Sequence, residues 1–113
     1  MPSLTNSEQY SQNGFEWTIG IVENTTDIFI QKRRWNASDD VNNQSNIGNA
    51  TLEIVSQMVF PYAANELQYA QGNTQREKYI SLLEYNMQSP YLRPLMEPAV
   101  GGLVQVNNQY NSD

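Results

Sequence analysis

Nothing in this chain can form a disulfide or offer an imidazole or thiolate to a metal, because its 113 residues include no cysteine and no histidine. The fold must therefore be held by hydrophobic burial, and a chain of this length can bury one modest core as a single domain. The same absence removes the commonest general base and the strongest side-chain nucleophile. In their place stand 14 asparagines and 11 glutamines. These neutral donors and acceptors suit contact surfaces better than bond-breaking.

Charged residues make up only 16% of the chain, so its polarity comes from amides and hydroxyls. That composition differs from charge-driven disorder, and two Trp, seven Tyr and three Phe supply large apolar surface. The net charge of −6 argues against a nucleic-acid partner, which calls for a basic face, and against anionic membrane. No apolar run reaches the ~18 residues of a membrane span, and Met1–Thr5 lacks the regions of a signal peptide. The expected partners are other protein subunits, in a homo- or hetero-oligomer. A virion or cytoplasmic location is favoured.

The pattern predicts an α+β fold: an N-terminal β-hairpin packed on two or three helices, a short C-terminal strand, and polar terminal arms. Residues 1–14 read as a flexible polar arm, 15–106 as one small domain and 107–113 as a polar tail. Alternation from Phe15 to Val22 places Phe15, Trp17, Ile19 and Ile21 on one strand face. A second β-rich run follows from Asp27 to Trp35, and the turn-prone residues between them predict an antiparallel hairpin. Residues 36–49 read as a long amide-rich loop. Leu52, Val55, Met58, Val59, Tyr62 and Ala63 fall at helical spacing and predict a helix from Ala50, broken near Pro61, resuming to Ala70 and stopping at Gly72. Thr74 and Glu77 form a capping box that opens a second helix, ending before Pro90. Pro90, Pro94 and Pro98 limit the next segment to one short turn, Tyr91 to Met96. Leu103–Val106 reads as a short strand.

Lys32, Arg33, Arg34 and Trp35 are the first candidate interaction residues: three cations for a phosphate or carboxylate, and an indole to stack on a base or sugar. The plainer reading is a strand end whose cations pair with Asp27, Asp39 or Asp40. On a strand, Lys32 and Arg34 face one way and Arg33 and Trp35 the other, which divides the patch. Asn42 and Asn43, in the amide-rich loop, complete the candidate set. Counted as a calcium loop from Asp40, the chain has Ser45 and Thr51 where a glycine and a bidentate glutamate are needed, so no metal is expected. Glu53, Glu66, Glu77 and Glu84 offer no paired carboxylates in an apolar pocket. No nucleophile motif or phosphate-cradling loop is present, and no cofactor is expected. Tyr62, Tyr69, Tyr79, Tyr85 and Tyr91 suit either an interface or a core with a wet edge.

Taken together, these features point to a non-enzymatic structural or assembly subunit of a larger complex, of which a small bacteriophage-type virion component is the concrete form. The alternative is a small module binding a sugar, peptide or nucleic acid through Trp17, Trp35 and the amide-rich loop.

Overall fold

The computed structural model describes residues 1–35 and 52–105. It is a mixed α+β fold: four antiparallel strands in the order β1-β2-β3-β4, with helices on one face. The strands are β1 (Leu4–Gln12), β2 (Phe15–Val22), β3 (Ile28–Trp35) and β4 (Leu52–Phe60). A 3-10 helix (Ala63–Tyr69), α1 (Gln75–Asn86) and α2 (Arg93–Val100) follow.

Phe15–Val22 and Ile28–Trp35 do pair antiparallel, with Ile19 opposite Ile30 and Ile21 opposite Ile28. They form the middle of a four-stranded sheet, however, and not an N-terminal hairpin that packs on the helices as its own unit. Residues 4–12, expected as part of a flexible arm, are instead a strand. Asn13 and Gly14 both have positive φ (54° and 84°), the backbone that a two-residue hairpin loop requires. This loop turns β1 back onto β2, with Gln12 opposite Phe15 and Tyr10 opposite Trp17. Polar side chains are no obstacle, because β1 is an edge strand with only Tyr10 fully buried.

The helix expected from Ala50 is absent over residues 52–60, which form β4. Helical spacing and strand alternation both fit its apolar residues, and pairing decides between them. β4 closes the open side of β3 along its length, from Ile28 opposite Phe60 to Trp35 opposite Leu52. A bulge at Val55 shifts the register, so that Lys32 faces Ser56 while Arg33 faces Ile54. Beyond Pro61 only the 3-10 turn survives of the predicted helix. Gly72 ends that segment at φ +121°, and a Cβ there would lie 2.5 Å from the Glu77 Cβ, so no other residue fits.

The capping box forms as expected: Thr74 Oγ1 accepts from the Glu77 amide at 3.1 Å, and the Glu77 carboxylate accepts from the Thr74 amide at 3.3 Å. α2 exceeds the single turn predicted from its prolines. Pro94 lies in the first turn, where its missing N–H costs nothing, and Pro98 falls near the end. Residues 103–105 are helical, not the predicted strand, and Leu103 and Val104 join the core.

That core lies between one sheet face and the helices. Tyr10, Trp17, Ile19, Ile28 and Ile30 meet Leu67, Tyr79, Ile80, Leu83, Met96, Ala99 and Val100. Hydrogen bonds tie the layers together. The Trp17 indole N–H donates to Ala99 O (2.8 Å), Tyr79 OH to Asn6 O (2.8 Å) and Tyr10 OH to Arg76 O (3.3 Å).

Tyr79→Phe keeps the buried ring but orphans the Asn6 carbonyl. It is expected to cost about 1–2 kcal/mol and to speed hydrogen exchange in β1 more than in β3; equal protection in both strands would show that β1 is held by other means. Burial raises the Tyr10 and Tyr79 phenols above their ordinary value of 10. A raised folded-state value means stability that is complete below the unfolded phenol's pKa and lost as pH climbs through the folded one. Unfolding followed by circular dichroism should therefore show stability falling above pH ~10, with the alkaline limb moved to higher pH in Tyr10→Phe.

Candidate functional site

The basic run at the end of β3 is divided by the strand, and each cation is already occupied. Lys32 points to the helix side, where Nζ donates to Gly101 O (3.2 Å) and lies 4.5 Å from the centre of the Phe15 ring and 5.6 Å from that of Trp17. Burial lowers its pKa, because the ammonium has given up part of its hydration. Arg33 points to the opposite face, where its guanidinium meets Glu16 Oε1 at 2.7 Å and Thr18 Oγ1 at 2.6 Å. Its Nε is buried and has no acceptor among the described residues. Arg34 pairs with Glu53 at 3.0 Å in the open. The acids that engage Arg33 and Arg34 are thus Glu16 and Glu53, from neighbouring strands. Asp27, expected as one partner, instead accepts the Tyr62 amide at 3.0 Å.

Trp35 is 42% exposed and remains open to contact. Trp17, the other half of the expected stacking platform, is not. It is 2% exposed and its N–H is spent on Ala99, so it presents neither ring face nor donor to a ligand. Asn42 and Asn43 lie outside the described residues. The structure therefore brings together Glu16, Thr18 and Arg33, with the buried Gln31 donating to Gln57 across the next strand pair (3.1 Å). It does not gather the four described candidates, Lys32, Arg33, Arg34 and Trp35, into one patch.

Two surfaces went unrecognised in the sequence. The first is β4, whose Ile54, Val55 and Val59 are 55%, 43% and 48% exposed. Adjacent β-branched residues are the signal for a strand, masked here by their coincidental helical spacing. The second is an open pocket of about 500 Å³ between the β2–β3 turn and the segment after β4, lined by Asn24, Thr25, Thr26, Asp27, Pro61 and Tyr62. Tyr62 carries φ +63°, a conformation uncommon for a bulky residue, and its ring is largely exposed. A backbone of this kind costs on the order of 1–3 kcal/mol and persists where its surroundings enforce it. Here the Tyr62 amide is held by Asp27, and the Ala64 amide by Thr26 O at 2.8 Å. Tyr69, Tyr85 and Tyr91 are also largely exposed, whereas Tyr79 is in the core.

Among the described residues no group of three acidic side chains is placed to hold a metal ion, and no helix is long and apolar enough to cross a membrane. In comparisons with known proteins, no family model, no curated protein and no solved structure matches this chain.

The half-buried and the exposed arginine should separate under substitution. Arg33→Ala leaves Glu16 and Thr18 without their partner and is expected to cost about 1–3 kcal/mol. Arg34→Ala should fall within about 0.5 kcal/mol of the parent. Urea unfolding measures both; equal costs would mean that the Glu16–Arg33 contact adds nothing beyond a surface pair.

Proposed function

We propose that the chain is a non-catalytic assembly subunit that docks onto other protein subunits through β4, and that the assembly is a virion of the bacteriophage type. The observation carrying the docking surface is the outer edge of the sheet. β4 pairs with β3 on one side, and no other strand among the described residues pairs with it. Such edges present unpaired N–H and C=O groups and are ordinarily blunted by lysine, proline or inward-pointing charge. Leu52–Phe60 contains neither lysine nor proline, and its one charge, Glu53, is already held by Arg34. Its bulge lies in the first half of the strand, leaving Ser56–Phe60 in regular register.

Ile54, Val55 and Val59 add apolar surface to that edge. An extended segment from a partner would gain main-chain hydrogen bonds there and bury those side chains. β1, the opposite edge, offers less: a bulge between Thr5 and Glu8, with Asn6 at φ +51°, breaks its register. The assembly reading also accords with a chain rich in amides and lacking imidazole and thiol, which is equipped for contact more than for turnover. Four largely exposed tyrosines, at positions 62, 69, 85 and 91, are of a residue type enriched at interfaces.

Light scattering and native mass spectrometry at micromolar concentration test the proposal. The chain should appear as an oligomer or with a co-purifying protein, and Ile54→Lys with Val59→Lys should release it as a folded single chain. A parent protein that is strictly monomeric and partnerless when recovered from its source would overturn it.

A further inference from the structure

We propose that the pocket beside Tyr62 binds a neutral oligosaccharide, with the Tyr62 ring as the stacking surface for one sugar ring. Four observations converge on this surface. Its volume of about 500 Å³ lies within the range of small-molecule sites. Its lining differs from theirs in kind, because Asn24, Thr25, Thr26 and Asp27 supply amide, hydroxyl and carboxylate groups beside a single exposed aromatic ring. An apolar ligand would cover this polar lining without offering it a hydrogen bond. A polyol pairs with them and lays the C–H face of its ring against the phenol.

The site is also held in place before any ligand arrives. Asp27 fixes the Tyr62 amide, Thr26 O accepts from Ala64, and Thr25 Oγ1 both donates to Val22 O (2.8 Å) and accepts from the Asp27 amide (3.0 Å). Both Asn24 and Tyr62 sit in left-handed backbone; for asparagine this is ordinary in a turn, whereas the exposed Tyr62 ring is displayed at a conformational cost.

Charge narrows the ligand class. Among the described residues no lysine or arginine lines the pocket and one carboxylate does, on a chain of net charge −6. A phosphate-bearing ligand such as a nucleic acid or an acidic glycan would be repelled, whereas a neutral sugar carries no such penalty. The open, surface-lying shape suits a chain of sugar units better than an enclosed small molecule.

The full chain, labelled with nitrogen-15, is titrated with cellohexaose, maltohexaose and chitohexaose, and separately with a single-stranded DNA oligonucleotide. At least one oligosaccharide should produce saturable shifts in the amides of residues 23–27 and 62–64, with affinity in the millimolar range, and the DNA should leave them unmoved. Tyr62→Trp should preserve binding. Tyr62→Gly removes both the ring and the left-handed strain; it should abolish the shifts while keeping the thermal midpoint at or above the parent's. Tyr62→Asn, which also tolerates this backbone, gives the same reading should glycine loosen the loop. The inference is independent of the β4 docking surface, so the Ile54→Lys/Val59→Lys variant should still bind sugar. Silence with all three oligosaccharides, shifts with DNA alone, or undiminished binding in both Tyr62→Gly and Tyr62→Asn would overturn it.

Discussion

Trp17 is where sheet and helices become one body. Its side chain is buried on the central strand β2, and its indole N–H reaches across the core to Ala99 O in α2. Around the ring stand Phe15, with centroids 6.0 Å apart, the Lys32 ammonium, and the backbone of Gly102, where an added Cβ would lie 3.6 Å from the ring. Burying such a ring is worth on the order of 3–5 kcal/mol, a large share of a small domain's net stability. A buried indole without an acceptor would forfeit part of that gain, so the hydrogen bond to Ala99 sets both the approach of α2 and the fate of the residues around it.

The fate of the basic run follows from this. With Trp17 and Phe15 on the helix side, the cross-strand position opposite Trp17 falls to Lys32. Its aliphatic stem can lie along the aromatic rings while Nζ reaches the Gly101 carbonyl. Alternation then turns Arg33 to the far face, where Glu16 stands directly opposite on β2. The run that looks like one anion site in the sequence is thus spent on internal bonds. Among the described residues, the exposed surfaces include Trp35, the apolar residues of β4 and the polar pocket at Tyr62, none of them a cationic patch.

Much of the architecture could be read from local pattern. Alternating Phe15-Glu16-Trp17-Thr18-Ile19 is hard to fit to anything but a half-buried strand, and Thr74 with Glu77 marks a helix start because each side chain caps the other's amide. β1 was harder to read. Its sequence, Leu4-Thr5-Asn6-Ser7-Glu8-Gln9-Tyr10, has too little apolar content to suggest burial, and only the Asn13-Gly14 pair hinted that the chain doubles back. β4 misled for the opposite reason: Leu52, Val55, Met58 and Val59 satisfy a helical period, and Ser56, Met58 and Phe60 satisfy a strand period on the same nine residues. The candidate site was legible in composition more than in place. Polar residues, one of them an amide, do line the Tyr62 pocket, but the pocket joins two segments about 35 residues apart, and no local pattern links Asn24 to Tyr62.

Sequence alone determined the chemistry available and the elements whose signals are self-contained: a core without staples, the β2–β3 alternation, the capped start of α1 and the halt imposed by Gly72. Those follow from steric and hydrogen-bonding preferences within a few residues. Tertiary structure decided the identity of both outer strands, the helical ending at Leu103 and Val104, the division of Lys32 from Arg33, and the meeting of the β2–β3 turn with Tyr62. Each of these depends on hydrogen bonds or burial between residues distant in the chain, and such free energy exists only once the partner surface has formed.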